Sequence, residues 1–364
     1  MSDIVYFSKM FQAVPQLAQV ASQLPGTFVT SRRSTMLTAR RLYPAMPTAR
    51  YRRWLGPFSS GARQLKRAEV IVTGSPYRSF LQPYGAKKCT VFHGTYMMLS
   101  KQALLANAHF DLLCVTGPRM QQMIRRFAPE VELNTITTGF LPFCEFPERS
   151  AAQRHAVLSG LGLDPSLKTV LYTSSRRGIG SWDLAAESLV RTTPAIFNLV
   201  LRPHPSQSLT PRRADRASFR RVEHAAAARP NTLVDLNSQA LSTLLSVADL
   251  LISDANSPAE ESLFYDLPQL FVETPICNAD LLKQQAMREG MHEEDTAGLL
   301  GLFDCGHRQY VDAPLDFSEL IEASIQTAPS YAAQRQAYFS WVFGERDREA
   351  HRRVAHAITT QFLS

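Results

Sequence analysis

The sequence predicts an α/β protein of two domains, each an open parallel sheet with helices on its faces. Three observations carry that prediction. Short β-branched runs alternate with helical patterns along the whole chain. The 364 residues are too many for one compact core and suit two domains of ordinary size. The alternation breaks once, at the Gly, Pro and aromatic stretch GFLPFCEFPE, whose punctuation suits an interdomain linker.

The elements follow in order. Ile4–Phe7 is a short apolar run, followed by a helical pattern from Phe11 to Leu24 that contains Pro15 near its start. Thr27–Thr30, Glu69–Thr73 and Cys89–Phe92 read as strands, the last stopping at His93-Gly94. Leu112–Thr116 is the next strand and Arg119–Phe127 the next helix. Beyond the linker, Lys168–Thr173 enters the loop SSRRGIGS and Asn198–Arg202 enters Pro203-His204-Pro205. Thr232–Asp235 is a short strand and Leu241–Ala248 a helix. Leu250–Ser253 runs into DANSPAEES, and Gln269–Glu273 follows. The tail, from Tyr331 to Leu363, reads as helical. The expected division is 1–148 for the first domain, 149–335 for the second, and 336–364 for a helix crossing back to the first.

Composition narrows the class. With 45% hydrophobic and 20% charged residues the chain reads as soluble and globular. It has no apolar run long enough to span a bilayer. The N-terminal residues lack the basic-then-apolar layout of a secretory signal, so a cytoplasmic protein is expected. The five cysteines form no CxxC pair, which argues against a disulfide framework. No zinc ligand set is visible, so no metal and no cofactor are expected.

The net charge of +7 favours anionic partners. Much of the excess sits early, at Arg32, Arg33, Arg40, Arg41, Arg50, Arg52, Arg53, Arg63, Lys66 and Arg67, interleaved with Tyr43, Tyr51, Trp54 and Phe58. This pattern reads either as a patch for a membrane surface or acceptor polymer, or as a solvated basic face. The basic residues follow no nucleic-acid motif, so nucleic acid is not an expected partner.

In open parallel sheets ligands bind at the carboxyl ends of strands, and here the unusual polar residues sit at those ends. His93 follows an apolar run, where an imidazole can take a proton near neutral pH; it serves equally as a turn histidine. Gly94 permits close backbone approach or a positive φ, and Thr95 completes the motif. Arg202 and His204 lie in a stretch stiffened by two prolines, suited to a diphosphate, or to a structural turn with Arg202 on a carboxylate. Ser175 and Arg176 lie in a basic loop that could clasp phosphates. Asp254, Asn256, Ser257 and Glu261 surround a helix start, with Ser257 as the expected N-cap and Pro258 in the first helical position. Free amides at a helix start attract phosphate, and a carboxylate one turn in can accept from a ribose hydroxyl.

The ordered set FHGT, TSSRR, RPHP and DANS with Glu261 resembles the CDP-glycerol glycerophosphotransferases, the teichoic-acid and capsule polymer synthases. AEVIVTGS before the first motif and ADLLISD before the last are similar as well, and the resemblance covers roughly residues 65 to 275 together with DREAHRRVAHAI in the tail. It implies two Rossmann-like domains facing across a cleft, the GT-B arrangement. The implied donor is a CDP-activated polyol phosphate, held mainly by the second domain. The implied acceptor is a hydroxyl of a cell-surface glycan or polymer precursor, lipid-linked ones included, with peripheral contact at the inner face of the cell membrane.

His93 is then the base for the acceptor hydroxyl. Arg202 and His204 bind the diphosphate, Asn256 and Ser257 add donors, and Glu261 faces the ribose. The sequence departs from the family where Ala255 and Asn256 replace Tyr and Ser, where GFLP lacks a basic residue after its proline, and where Tyr96-Met97-Met98 replaces a lysine. These departures leave the donor open. The alternatives are a GT-B glycosyltransferase using a nucleotide sugar and, from another class, a non-catalytic basic binding protein. A UDP-sugar 2-epimerase ranks below both, since its N-terminal GTRPE-like segment is absent.

Overall fold

A computed structural model describes residues 3–92, 94–127, 132–208, 211–236 and 238–363, apart from the side chains of Arg53 and Pro57. The chain divides into two compact units. One comprises Met1–Glu145, Glu289–His292 and Ser340–Ser364; the other comprises Phe146–Arg288 and Glu293–Phe339.

The first unit holds strands β1 (Ile4–Phe7), β2 (Thr27–Thr30), β3 (Thr48–Arg50), β4 (Val70–Thr73), β5 (Lys87–Thr90), β6 (Leu112–Val115) and β7 (Thr135–Thr137). They form one sheet in the order β3-β2-β1-β4-β5-β6-β7, and every pair is parallel. Strand order reverses between β1 and β4. Such a switch point opens a crevice at the carboxyl ends of the two strands.

Ile4, Tyr6, Val70, Val72 and Leu112 pack on one face against Val14, Leu17 and Val20 of the helix Val14–Gln23, and Val354, Ala357 and Ile358 of the helix Ala350–Ile358 complete that core. The intervening residues Val5, Phe7 and Ile71 are buried as well, so these strands read as continuous apolar runs. Each fully buried Val, Leu or Ile stabilises the fold by roughly 1.5–3 kcal/mol.

The second unit holds β8 (Lys168–Thr173), β9 (Phe197–Arg202), β10 (Thr232–Val234), β11 (Leu250–Ser253), β12 (Gln269–Glu273) and β13 (His307–Tyr310). Its parallel sheet runs β10-β9-β8-β11-β12-β13, with the switch point between β8 and β11. Val170, Tyr172, Leu199, Leu201 and Ile252 pack on Trp182, Leu189, Phe219 and Phe317.

The structure shifts several predicted elements. The strand expected at Cys89–Phe92 lies at Lys87–Thr90, and the chain then turns through left-handed backbone at Phe92 (φ 51°) and Tyr96 (φ 50°). The helix expected from Phe11 begins as a 3₁₀ turn, Phe11–Ala13, and becomes α-helical at Val14. Pro15 falls in its first turn, where the missing N–H has no intrahelical role. Among the described residues no helix is long and apolar enough to cross a membrane, and all five cysteines are free thiols.

Candidate active site

The polar strand ends of the second unit lie in one row. Thr173 pairs with Arg202 on one side and with Ser253 on the other, so three adjacent strands finish level across the switch point. Their loops, Ser174–Gly180, Pro203–Ser206 and Asp254–Glu261, emerge side by side. Ser175, Arg176, Arg202, His204, Asp254, Asn256, Ser257 and Glu261 therefore belong to one region.

Asp254 organises it. Its carboxylate is buried and accepts the backbone N–H of Ser175 at 2.5 Å, the backbone N–H of Ser181 at 3.1 Å and the Ser181 hydroxyl. Ser181 also meets the Tyr172 hydroxyl at 2.6 Å. One side chain thus ties both ends of the loop to the next strand. Burial pushes Asp254 up to about 6, against the pull of the Ser181 and Ser175 hydrogen bonds. Gly180 makes the closure possible, since a Cβ there would lie 2.3 Å from the carbonyl oxygen of Ser175.

The two loop arginines part company. Arg177 Nε bonds Asp215 Oδ1 at 2.8 Å, and Nη2 reaches the other oxygen. Asp215 also accepts the Arg212 backbone N–H at 2.6 Å. Arg177 is therefore neutralised within the fold. Arg176 is exposed, with no ion pair among the described residues. Its charge lies close enough to His204 to act on it.

Burial first, and Arg176 second, hold His204 below the usual imidazole range. Its Nδ1 accepts the Ser206 backbone N–H at 3.1 Å and lies 2.8 Å from the Ser206 hydroxyl. A backbone N–H can only donate, so in the neutral ring the proton sits on Nε2. His204 thus offers a fixed neutral N–H donor.

Arg202 is largely buried. Its Nη1 bonds both Asp235 and, at 2.9 Å, the carbonyl of Gln239. Nε and Nη2 have no partner among the described residues. Burial lowers its pKa although Asp235 opposes this, and Glu261 lies within electrostatic reach. Glu261 is half-buried; burial, then the neighbouring Glu260, pushes it up to about 8 in spite of Arg202. Near neutral pH Glu261 can therefore carry a proton and act as donor and acceptor together.

The helix Ser257–Ser262 is capped by Asn256, one residue before the expected Ser257. Asn256 Oδ1 accepts the Ala259 N–H at 3.3 Å, and its Nδ2 donates to the Thr173 carbonyl at 3.2 Å. Pro258 falls within the first two helical positions. Ala255 turns the chain through φ 51°, a left-handed conformation that L residues seldom adopt.

Three hydroxyls within the sequence motifs, to which sequence reasoning assigned no separate role, complete the row. Thr173, Ser174 and Ser253 are at most 3% exposed, and their hydroxyl oxygens have no hydrogen-bond partner among the described residues. Buried polar groups are nearly always paired, so three together at a switch point mark a polar site. Their signal in the sequence is modest: each ends or follows an otherwise apolar strand.

The remaining candidates lie in the first unit. His93 falls outside the described residues. Thr95 is buried, and its carbonyl accepts from Nη2 of buried Arg119 at 2.8 Å. The Arg119 guanidinium lies 5.5 Å over the Trp341 ring. A Cβ at Gly94 would meet nothing within 4 Å among the described residues, and left-handed backbone occurs at Phe92 and Tyr96. Among the described residues no group of three or more His, Cys, Asp or Glu could hold a metal ion.

No protein-family model matches the chain, and no curated protein matches it. Solved structures do. The wall teichoic acid polymerase TagF, in a form soaked with CDPG, aligns with TM-score 0.68 at 15% identity, over 99% of this chain and 89% of that one. HepE from Anabaena, in complex with UDP and glucose, aligns with TM-score 0.56 at 13% identity, over 99% of this chain and 100% of that one. A glycosyltransferase from Rickettsia africae aligns with TM-score 0.53 at 9% identity. The chain has the two-sheet α/β fold of these GT-B transferases.

Proposed function

We propose that the chain is a transferase that binds a CDP-activated polyol phosphate at the carboxyl edge of its second sheet and passes the polyol phosphate to a hydroxyl of a glycan or polymer precursor. The observation that carries the reading is the level row of strand ends. It offers an unpaired Arg176, the fixed Nε2–H of His204, the spare N–H groups of Arg202 and three buried hydroxyls. Such a set suits a diphosphate, because Arg202 and His204 are held before the ligand arrives. Glu261, carrying a proton near neutral pH, is suited to a ribose hydroxyl. Asp254 and Asn256 act by fixing the loops, since their polar atoms are already engaged by the fold.

In the reaction an acceptor hydroxyl attacks the β-phosphate of the donor. Its proton passes to a base, the oxygen–phosphorus bond to the bridging oxygen breaks, and CMP leaves. By the resemblance, His93 is that base. Arg176, Arg202 and His204 are placed to offset the negative charge that accumulates on the phosphates.

The test is a thermal-shift screen with CDP, CMP, UDP, GDP, CDP-glycerol, CDP-ribitol and nucleotide sugars. It is followed by turnover with the donor that raises the melting temperature. Stabilisation by cytidine compounds with release of CMP is expected. Stabilisation by uridine or guanosine compounds alone, with release of the nucleoside diphosphate, would replace this reading with a nucleotide-sugar glycosyltransferase. Silence across the panel would sink both. His93→Ala is expected to lower turnover by about 10²–10⁴-fold while leaving donor affinity nearly unchanged.

A further inference from the structure

The first unit carries a built cavity of its own. It measures about 550 Å³ and is lined by Lys9, Ser31, Tyr51, Ser79 and Phe80. These residues follow β1, β2, β3 and β4, which lie side by side in the sheet. The cavity therefore sits at the carboxyl edge, beside the β1/β4 switch point, where ligands of open parallel sheets bind.

Lys9 is its centre, and the fold fixes it. The Ser8 hydroxyl oxygen accepts the Met10 N–H at 2.9 Å, which closes a tight turn around Lys9. The Lys9 backbone N–H donates to the Tyr77 hydroxyl at 3.1 Å. Tyr77 reaches it from left-handed backbone, φ 41°. The Lys9 ammonium lies 5.0 Å from the Phe80 ring centroid and 5.5 Å from that of Tyr77. Phe80 is itself clamped, stacked on Phe7 at 4.4 Å and edge-on to Tyr51 at 5.0 Å. Lys9 is half-buried, and no carboxylate pairs with it among the described residues.

The sequence around it is poor in acids. From Ile4 to Ala68 the sequence holds eleven lysines and arginines and no aspartate or glutamate. Arg32 and Arg52, both exposed, stand one residue beyond Ser31 and Tyr51. A half-buried lysine without a carboxylate partner among the described residues, walled by aromatic rings and flanked by two serine hydroxyls, suits an anion joined to a hydroxylated carbon skeleton, such as a phosphate ester of a polyol or sugar. The phosphate pairs with Lys9. The carbon skeleton lies on Phe80 and Tyr51, and its hydroxyls meet Ser31 and Ser79.

We propose that this cavity binds a phosphorylated polyol or sugar, with Lys9 as the phosphate partner. The transferase reading enters only in naming that ligand the acceptor; binding stands without it.

The test is calorimetry on the full chain at saturating CMP, with glycerol 3-phosphate, inorganic phosphate and glycerol as probes. Glycerol 3-phosphate is expected to bind saturably, inorganic phosphate more weakly, and glycerol not at all. Lys9→Gln is expected to weaken glycerol 3-phosphate by about tenfold or more. Lys66→Gln removes the same charge from an exposed position and is expected to change nothing. Tyr51→Ala is expected to weaken glycerol 3-phosphate but not inorganic phosphate.

An equal loss in Lys66→Gln would make the attraction diffuse and overturn the proposal, as would unchanged binding in Lys9→Gln. Displacement by CMP would move the site to the nucleotide and overturn it too. Phosphatidylglycerol vesicles form the last arm. Vesicle binding indifferent to Lys9→Gln, with no saturable binding of soluble phosphates, would assign the cations to a membrane face and reject the cavity. CMP affinity is measured alongside; a chain that binds glycerol 3-phosphate but no nucleotide would keep this proposal and defeat the transferase reading.

Discussion

The two sheets handle charge in opposite ways. At the carboxyl edge of the second sheet most charges are answered inside the fold: Arg177 by Asp215, Arg202 by Asp235, and Asp254 by the amides of the loop it holds. At the carboxyl edge of the first sheet cations stand without acids, from Lys9 through Arg52. An edge with internal pairs fixes geometry, and a ligand there is selected by shape and by a few aimed donors. An edge without them offers net attraction, and a ligand there is selected first by its charge. The second edge is therefore expected to lose its geometry when an internal partner is removed, and the first to lose its ligand with Lys9 while keeping its fold.

Four experiments break or sharpen that contrast. The largest effect is expected from Asp254→Ala, which strands two amides and a hydroxyl. Unfolding by urea should show a loss of about 3 kcal/mol, and nucleotide affinity should fall by roughly 100-fold. Asp254→Asn keeps an acceptor and should lose less; equal losses would mean that the charge, not the geometry, matters.

Gly180→Ala comes next. Its Cβ cannot fit against Ser175, so the loop must open, and nucleotide affinity should drop by about tenfold or more with a lowered melting temperature. Normal affinity in this variant would show that loop closure is dispensable.

His204→Ala should weaken nucleotide binding by about tenfold, with His204→Gln retaining part of it through its own N–H. In the same experiment Arg176→Ala should let the His204 imidazole titrate at higher pH, read from its ring proton by NMR. No movement would separate the two residues.

The smallest effect is a slope. Glu261 is raised from 4.5 to about 8 in the folded state, so the folded chain holds a proton that the unfolded chain has lost. Its contribution is present below pH 4.5 and is lost as pH rises toward 8. Asp254, raised to about 6, acts in the same direction over a lower window. Glu261→Gln should therefore flatten the fall in stability between pH 6 and 8, and only reduce it between pH 4.5 and 6, where Asp254 also acts. An unaltered slope above pH 6 would assign it to another group.

Much of the second unit was legible because its strands are long and apolar and end abruptly in polar residues. Lys168–Thr173, Leu250–Ser253 and Gln269–Glu273 lie where the pattern puts them. The edge strands Thr48–Arg50, Thr135–Thr137 and His307–Tyr310 were not legible, because each is three or four residues with no apolar run to mark it. The motif residues were visible, but their partners were not. Asp235 lies 33 residues from Arg202 and Asp215 38 from Arg177, distances over which spacing carries no information. The cavity around Lys9 was invisible for a related reason. Its walls come from four strand ends, and their adjacency depends on a strand order that alternation alone does not specify.

One feature of the first unit bears on how the protein is made. Val354, Ala357 and Ile358 belong to its core, yet they are translated after the whole of the second unit. At ordinary ribosomal rates roughly 10–40 s separate the two parts of that core. During this interval the faces of Val14, Leu17 and Val20 that await them have no native cover, while the second unit can already close. Synthesis is therefore the stage at which the first sheet is most open to chaperones and to aggregation, and a slow codon run ahead of Ser340 would lengthen that exposure.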